Sequence, residues 1–213
     1  WIKARNQSYA PALFDTERGV TKYMLTSGTN AEVTYAESLT AFNSDGFTLG
    51  ADNHWYFNKG SDTDYASWTF RKAPGFFDVI TYTGNGANKT IAHNLGSVPG
   101  MIIIKRLNDS GNWGVKHRSI AATNGVFLNK TDASYPSSTY WGDTEPTSTH
   151  FTVGATNGVN NSPYVAYLFA HDDQRFGTDS DESIIKCGSY TGNGSDIDVD
   201  LGFEPQWLMV KSA

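Results

Sequence analysis

The chain repeats itself, and its two ends fall out of phase with the repeat. The runs Tyr82-Thr83-Gly84-Asn85-Gly86, Leu95-Gly96-Ser97-Val98-Pro99 and Met101-Ile102-Ile103-Ile104-Lys105 return as Tyr190-Thr191-Gly192-Asn193-Gly194, Leu201-Gly202-Phe203-Glu204-Pro205 and Trp207-Leu208-Met209-Val210-Lys211, at offsets of 108 and then 106. Gly46-Phe47-Thr48-Leu49-Gly50 answers His150-Phe151-Thr152-Val153-Gly154 at an offset of 104, and Tyr65-Ala66-Ser67-Trp68-Thr69-Phe70 answers Tyr164-Val165-Ala166-Tyr167-Leu168-Phe169 at 99. Local order that persists while the spacing drifts indicates one unit copied in tandem, because loops tolerate changes of length.

Residues 76–175 make one whole copy. Trp1-Ile2-Lys3 aligns with Ile103-Ile104-Lys105, so residues 1–73 are the later two thirds of a copy, and residues 183–213 are the opening third of a further one. The pieces are complementary, since 213 residues is close to two periods. A β-sandwich lacking several strands bares sheet edges and core. The opening third is therefore expected to fill the first unit, in the same chain or in a neighbour, unless the chain is part of a longer array.

Aromatic residues make up 14% of the chain and charged residues only 18%, with 21 Gly. That mix suits pleated, half-buried strands joined by tight turns, and no long amphipathic helical stretch competes with it. Apolar runs at 77–82, 89–93, 100–107, 111–117, 125–129, 150–153 and 164–171 are broken by Gly, Asn, Asp, Ser and Pro, the spacing of an all-β sandwich or barrel. Residues 164–170 are apolar on both faces, as in a strand covered on each side. Gly84-Asn85-Gly86 and Gly192-Asn193-Gly194 supply residues for a tight hairpin, and Leu95-Gly96 and Leu201-Gly202 mark corners. Trp113 and Trp141 are expected to plug the sandwich.

The formal charge of -6 and pI near 5.2 argue against nucleic acid, whose phosphates call for clustered Lys and Arg. A single cysteine, Cys187, excludes an internal disulfide; in Ile184-Ile185-Lys186-Cys187-Gly188 it reads as a buried thiol on a strand. No apolar run approaches the ~18 residues of a membrane span, so membrane insertion is not expected. No leader pattern opens the chain, and a start at Trp1 implies that residues precede it.

A search for chemistry leaves little. His54, His93, His117, His150 and His171 show no metal-ligand spacing, and Gly-x-Ser-x-Gly is absent. His117-Arg118 aligns with Glu17-Arg18, so the histidine belongs to one copy only and reads as a strand end rather than a catalytic base. Asp196, Asp198 and Asp200 alternate along an expected strand, where Thr90, Ala92 and Asn94 stand in the other copy; they read as a solvated acidic face, not a calcium site. The glutamates are scattered, without the paired carboxylates of a glycosidase. The expectation is a non-enzyme with no metal and no cofactor. Loop aromatics beside amides and carboxylates could instead stack on and read a sugar, and the candidates are Trp55, Tyr56 and Asn58 in one loop and Tyr140, Trp141 and Asp143 in another. The competing role of these aromatics is to close the sandwich ends.

Trp1-Ile2-Lys3-Ala4-Arg5-Asn6, Leu13-Phe14-Asp15-Thr16-Glu17-Arg18-Gly19, Phe42-Asn43-Ser44-Asp45-Gly46-Phe47, Ala73-Pro74-Gly75-Phe76-Phe77-Asp78-Val79 and His93-Asn94-Leu95-Gly96-Ser97-Val98-Pro99-Gly100 resemble a repeated domain of marine tailed-phage virion proteins, notably of phages infecting cyanobacteria. The resemblance covers nearly the whole chain. It implies tandem concanavalin A-type jelly-roll units, a part of a virus particle with other virion proteins as partners, and host attachment as the duty, and it carries over no catalytic residue. A homo-oligomer is the default for an appendage protein, the tail or tail fibre is the expected place before the head, and a host-surface glycan read by the loop aromatics is the expected ligand. A capsid-surface decoration protein and a polysaccharide-degrading jelly-roll enzyme are the alternative readings.

Overall fold

The computed structural model describes residues 1–51, 57–60 and 62–212. The chain is all-β with antiparallel pairing throughout its sheets. Strands β1 (Ile2–Ala4), β2 (Ala12–Leu13), β3 (Lys22–Leu25) and β4 (Val33–Thr34) are followed by a hairpin of β5 (Leu39–Phe42) and β6 (Phe47–Leu49), then by β7 (Tyr65–Ser67). After them come β8 (Phe77–Thr83), β9 (Lys89–Ala92), β10 (Met101–Arg106), β11 (Gly114–His117), β12 (Asn124–Phe127), β13 (Tyr135–Pro136), a four-residue helix α1 (Ser138–Trp141), β14 (His150–Val153) and β15 (Pro163–Phe169). One large sheet runs β4-β3-β2-β1-β7 and the other β13-β12-β11-β10-β15-β8.

The two sheets share their order and their register. Adding 102 to both residue numbers turns Ile2↔Ala12 into Ile104↔Gly114, Leu13↔Met24 into Val115↔Val126, and Tyr23↔Val33 into Gly125↔Tyr135. Ala4↔Tyr65 becomes Arg106↔Tyr164 with offsets of 102 and 99. Loop bonds follow suit: Gly50 N–H donates to Ser38 O at 2.7 Å and Gly154 N–H to Tyr140 O at 2.8 Å. Both glycines are forced by close approach, since a Cβ at either would run into the opposing backbone, at Glu37 or Thr139.

Alternation along the strands sorts side chains into layers. Ile2, Ala12, Phe14 and Tyr23 face Leu39 and Phe57, while Tyr82, Ile102, Ile104, Tyr164, Ala166 and Leu168 face Ile91, Phe151 and Val153 of the β9–β14 pair. Between the two large sheets lie Leu13 and Met24 from one side and Val79, Ile103, Val165 and Tyr167 from the other. The molecule is thus four layers deep with the large sheets inside, which is why β10 and β15 are buried on both faces.

The inner seam also holds polar groups. Trp113 donates its indole N–H to Gly28 O at 2.9 Å, so it packs between the large sheets rather than inside its own sandwich. The Arg18 guanidinium is buried and bonds Asp15, Glu32 and Leu13 O, while the Tyr167 hydroxyl reaches Asp15 at 2.6 Å. Burial by itself would lower the Arg18 pKa; Tyr167, Asp15 and Glu32 together raise it, so the cation stays charged.

Two sequence expectations are corrected. Gly84-Asn85-Gly86 does not close a hairpin, because β8 pairs with β15 and β9 with β14. Gly84 N–H donates to Ser162 O and Gly86 N–H to Gly158 O, and the turn carries the chain from one sheet to another. The same residues serve either purpose, since what they supply is positive φ and close approach. Residues 183–212 form no strand, so neither the segment around Cys187 nor the alternating Asp196, Asp198 and Asp200 lies on one. Cys187 is nonetheless buried, against Ala170 O and His171.

Candidate functional site

The second large sheet borders a pocket. Position 125 is glycine, and its counterpart at 23 is a buried tyrosine packed among Phe14 and Phe57. A Cβ at Gly125 would lie 2.8 Å from Cδ2 of Tyr140. The ring absent from the strand is supplied from α1 instead, where Tyr140 stands at the place of Ser38. An aromatic ring has been moved from strand to helix, which keeps the core packed while leaving space toward the mouth. Gly114 makes room in the same way, since its Cβ would meet Asn157 Oδ1 at 3.1 Å.

The cavity beside Tyr140, of about 230 Å³, is bordered by Arg106, Asn112, Phe127, Tyr140, Asn157 and Tyr164. Tyr140 meets Phe127 edge-on at 5.4 Å, and its hydroxyl accepts a hydrogen bond from Tyr135 at 2.9 Å. Tyr164 stacks on Tyr82 at 5.1 Å, accepts from Val159 N–H at 3.2 Å and donates to Thr156 O at 3.4 Å. Asn157 donates to Tyr140 O at 3.2 Å, and its carbonyl takes the Tyr82 hydroxyl at 2.6 Å, so the floor is fixed by bonds that cross the sandwich. Arg106 is oriented by Asn108 at 3.0 Å and Asp109 at 3.3 Å.

Burial raises the pKa of Tyr140, and its bond with Tyr135 adds to that; burial also raises Tyr164, opposed by Val159 N–H and the Arg106 charge. Both phenols therefore stay protonated and act as donors and acceptors. No carboxylate or imidazole stands among the residues lining the cavity. What the pocket offers is aromatic surface, neutral hydrogen-bonding groups and one guanidinium.

Of the residues singled out from sequence, Tyr140 borders this pocket. Trp141 is 1% exposed in the sandwich core and presents no ring face to solvent, so it plugs the fold as one of its two sequence readings held and cannot stack on a ligand. Asp143 is exposed in a left-handed turn at φ 52° and lies off the pocket. Asn58 is exposed and donates to Gly50 O at 2.9 Å, while Trp55 and Tyr56 lie outside the described residues. Sequence reading missed Arg106, Phe127, Asn157 and Tyr164. The signal lay in the repeat: Arg106, Phe127 and Tyr140 stand where the first copy has Ala4, Leu25 and Ser38, departures within a shared framework.

Buried His93 and half-buried His117 and His171 share one arrangement. His93, His117 and His171 each accept a backbone N–H at Nδ1, from Leu95, Ser119 and Cys187 respectively. Burial lowers the pKa of all three, and neighbouring cations add to this at His117 and His171. Each is a strut for a turn. No group of three or more His, Cys, Asp or Glu able to hold a metal occurs among the described residues.

A family defined as a domain of unknown function, DUF7483, matches residues 1–213. The chain belongs to this DUF7483 family. No curated protein and no solved structure matches it. In the pocket beside Tyr140, aromatic and polar side chains converge around a cavity at positions where the matching stretches of the chain differ.

Proposed function

We propose that the chain is a non-enzymatic module of a tailed-phage particle, built from tandem jelly-roll units of the concanavalin A type, that binds a host-surface glycan in the pocket beside Tyr140. The repeat reading is supported by the constant register offset between the two large sheets, which a shared fold class alone does not require. The virion setting is supported by the resemblance of the motifs to repeated phage domains, and a tail appendage suits a unit that repeats in tandem.

The observation that carries the binding role is the exchange of Tyr23 and Ser38 for Gly125 and Tyr140. Tyr140 borders a cavity lined by aromatic rings, amides and Arg106, with no carboxylate or imidazole among its walls. Pyranose rings present apolar faces to stack on and hydroxyls that pair with such groups. Cleavage of a glycosidic bond would call for two carboxylates, ~5 to 9.5 Å apart.

The test is calorimetric titration of oligosaccharides from host lipopolysaccharide into the full chain. Saturable binding that falls at least tenfold in Arg106→Ala, without release of reducing ends, is the expected result. Binding indifferent to Arg106, or none at all, refutes the site, and new reducing ends refute the non-enzymatic reading.

A further inference from the structure

The side chains around the cavity beside Tyr140 leave more donors unbonded than acceptors. Asn129 Oδ1 takes Trp113 N–H at 2.8 Å, which fixes the Asn129 amide, and its Nδ2 then donates to Asn112 Oδ1 at 3.0 Å. A backbone donor thus sets the orientation of both amides. Asn112 is left with its NH2 end, which has no partner among the described residues. Tyr140 accepts from Tyr135, so its own O–H hydrogen remains to be given. Arg106 turns Nε to Asn108 and Nη1 to Asp109, and Nη2 has no partner among the described residues. Among the amides and the guanidinium that border the cavity, one acceptor is left over, Asn157 Oδ1, since Asn157 Nδ2 donates to Tyr140 O.

We propose that the sugar held in this cavity carries a carboxylate, as a hexuronic acid does, and that the carboxylate sits at Arg106 Nη2. This rests on the glycan reading above and narrows it. A sugar hydroxyl both donates and accepts, whereas an ionised carboxylate only accepts, through two oxygens. It therefore matches a wall whose unbonded groups are mainly donors, and its bond to a guanidinium is shorter and stronger than a neutral one. Charge selects a carboxylate over a phosphate monoester. Arg106 is the only cation among the described residues lining the cavity, and Asp109 already stands at Nη1. A phosphate monoester, with a charge of about −1.5 to −2, would bring more negative charge than this wall can match. The Asp109 side chain is 59% exposed and lies outside the lining, so its pair with Arg106 is weak and leaves Nη2 to a ligand.

The test is calorimetric titration of the full chain with oligosaccharides of glucuronate, galacturonate, mannuronate and guluronate, each beside its carboxyl-reduced counterpart. Reduction turns the carboxylate into a hydroxymethyl group and leaves the rest of the ring unchanged. At least one acid should bind tenfold or more tightly than its reduced form, and high salt should shrink that advantage. Equal binding of acid and reduced forms, or binding of neither, overturns the proposal. If the host oligosaccharides of the preceding test still bind, the glycan site stands and only its charge preference falls; if they fail too, both readings fall. Arg106→Gln keeps a donor without the charge and should abolish the preference for the acid, so a preference that survives overturns the assignment to Arg106. Asp109→Asn, at an exposed side chain, removes the rival carboxylate; it should tighten the acid at least twofold and leave the reduced sugar unchanged. Unchanged or weaker binding of the acid in Asp109→Asn counts against Nη2 as its seat. Galactose 6-phosphate binding more tightly than galacturonate overturns the choice of a carboxylate.

Discussion

If Gly125 and Tyr140 are two halves of one packing solution, changing both should cost far less than the sum of changing each. Gly125→Tyr alone places a ring where Cβ already lies 2.8 Å from Tyr140, and overpacking of this kind costs about 2 kcal/mol. Tyr140→Ser alone removes a half-buried ring, its edge contact with Phe127 and its bond to Tyr135; about 2 kcal/mol is expected, less than for a fully buried aromatic. Independent sites would then sum to about 4 kcal/mol. The double variant instead recreates the Tyr23 and Ser38 arrangement of the first unit, and its loss should stay near 1 kcal/mol, a coupling of about 3 kcal/mol. The assay is a double-mutant cycle from urea unfolding, read by near-ultraviolet circular dichroism. Strict additivity would refute the reasoning that the pocket arose by relocating one aromatic ring. If the proposed glycan docks beside Tyr140, the double variant should also lose it, because a lining ring is removed.

Three further outcomes follow from the seam and the turns. His93, His117 and His171 are neutral acceptors in the fold, with pKa values below the ordinary 6.5; unfolded, they bind protons more readily. Their contribution is therefore complete above pH 6.5 and lost as pH falls below it, so the urea midpoint should drop between pH 7 and 5, and less so in His93→Gln. Arg18→Met leaves Asp15 and Glu32 without their buried cation, and a loss of about 3 to 5 kcal/mol is expected from thermal or urea unfolding; a loss below 1 kcal/mol would show that the cluster is not a linked buried pair. Lys105 is fully buried and donates to Arg106 O at 2.7 Å without an ion-pair partner among the described residues; burial, with Arg106 adding, lowers its pKa to about 8. Lys105→Met should raise stability by about 1 kcal/mol, and a fall in midpoint would show that the amine has a structural duty.

Strand positions were legible in sequence because the signal is local: period-two alternation with Gly, Asn and Pro at the breaks locates β8 to β12, β14 and β15 without reference to anything distant. Gly84-Asn85-Gly86 shows the limit of such signals. The residues announce a tight turn, but whether β8 and β9 then pair with each other depends on Ser162 and Gly158, some 75 residues away. Trp113 and Trp141 read alike as core plugs, yet one fills its own sandwich and the other joins two sheets through Gly28. Tyr140 could be named as a candidate for being aromatic and near a turn, whereas Arg106 and Tyr164 look unremarkable on their strands and Asn157 in the turn between β14 and β15.

The amino-acid sequence by itself showed that motifs recur along an all-β chain and roughly where its longer strands lie, because repetition and alternation are properties of neighbours along the chain. Only the tertiary structure decided that the large sheets stack with Arg18, Trp113 and Tyr167 in the seam, and that Gly125 and Tyr140, fifteen residues apart, pack against each other beside a pocket. Those outcomes turn on which faces meet and how volume is shared between them, and neither quantity is written in any single stretch of residues.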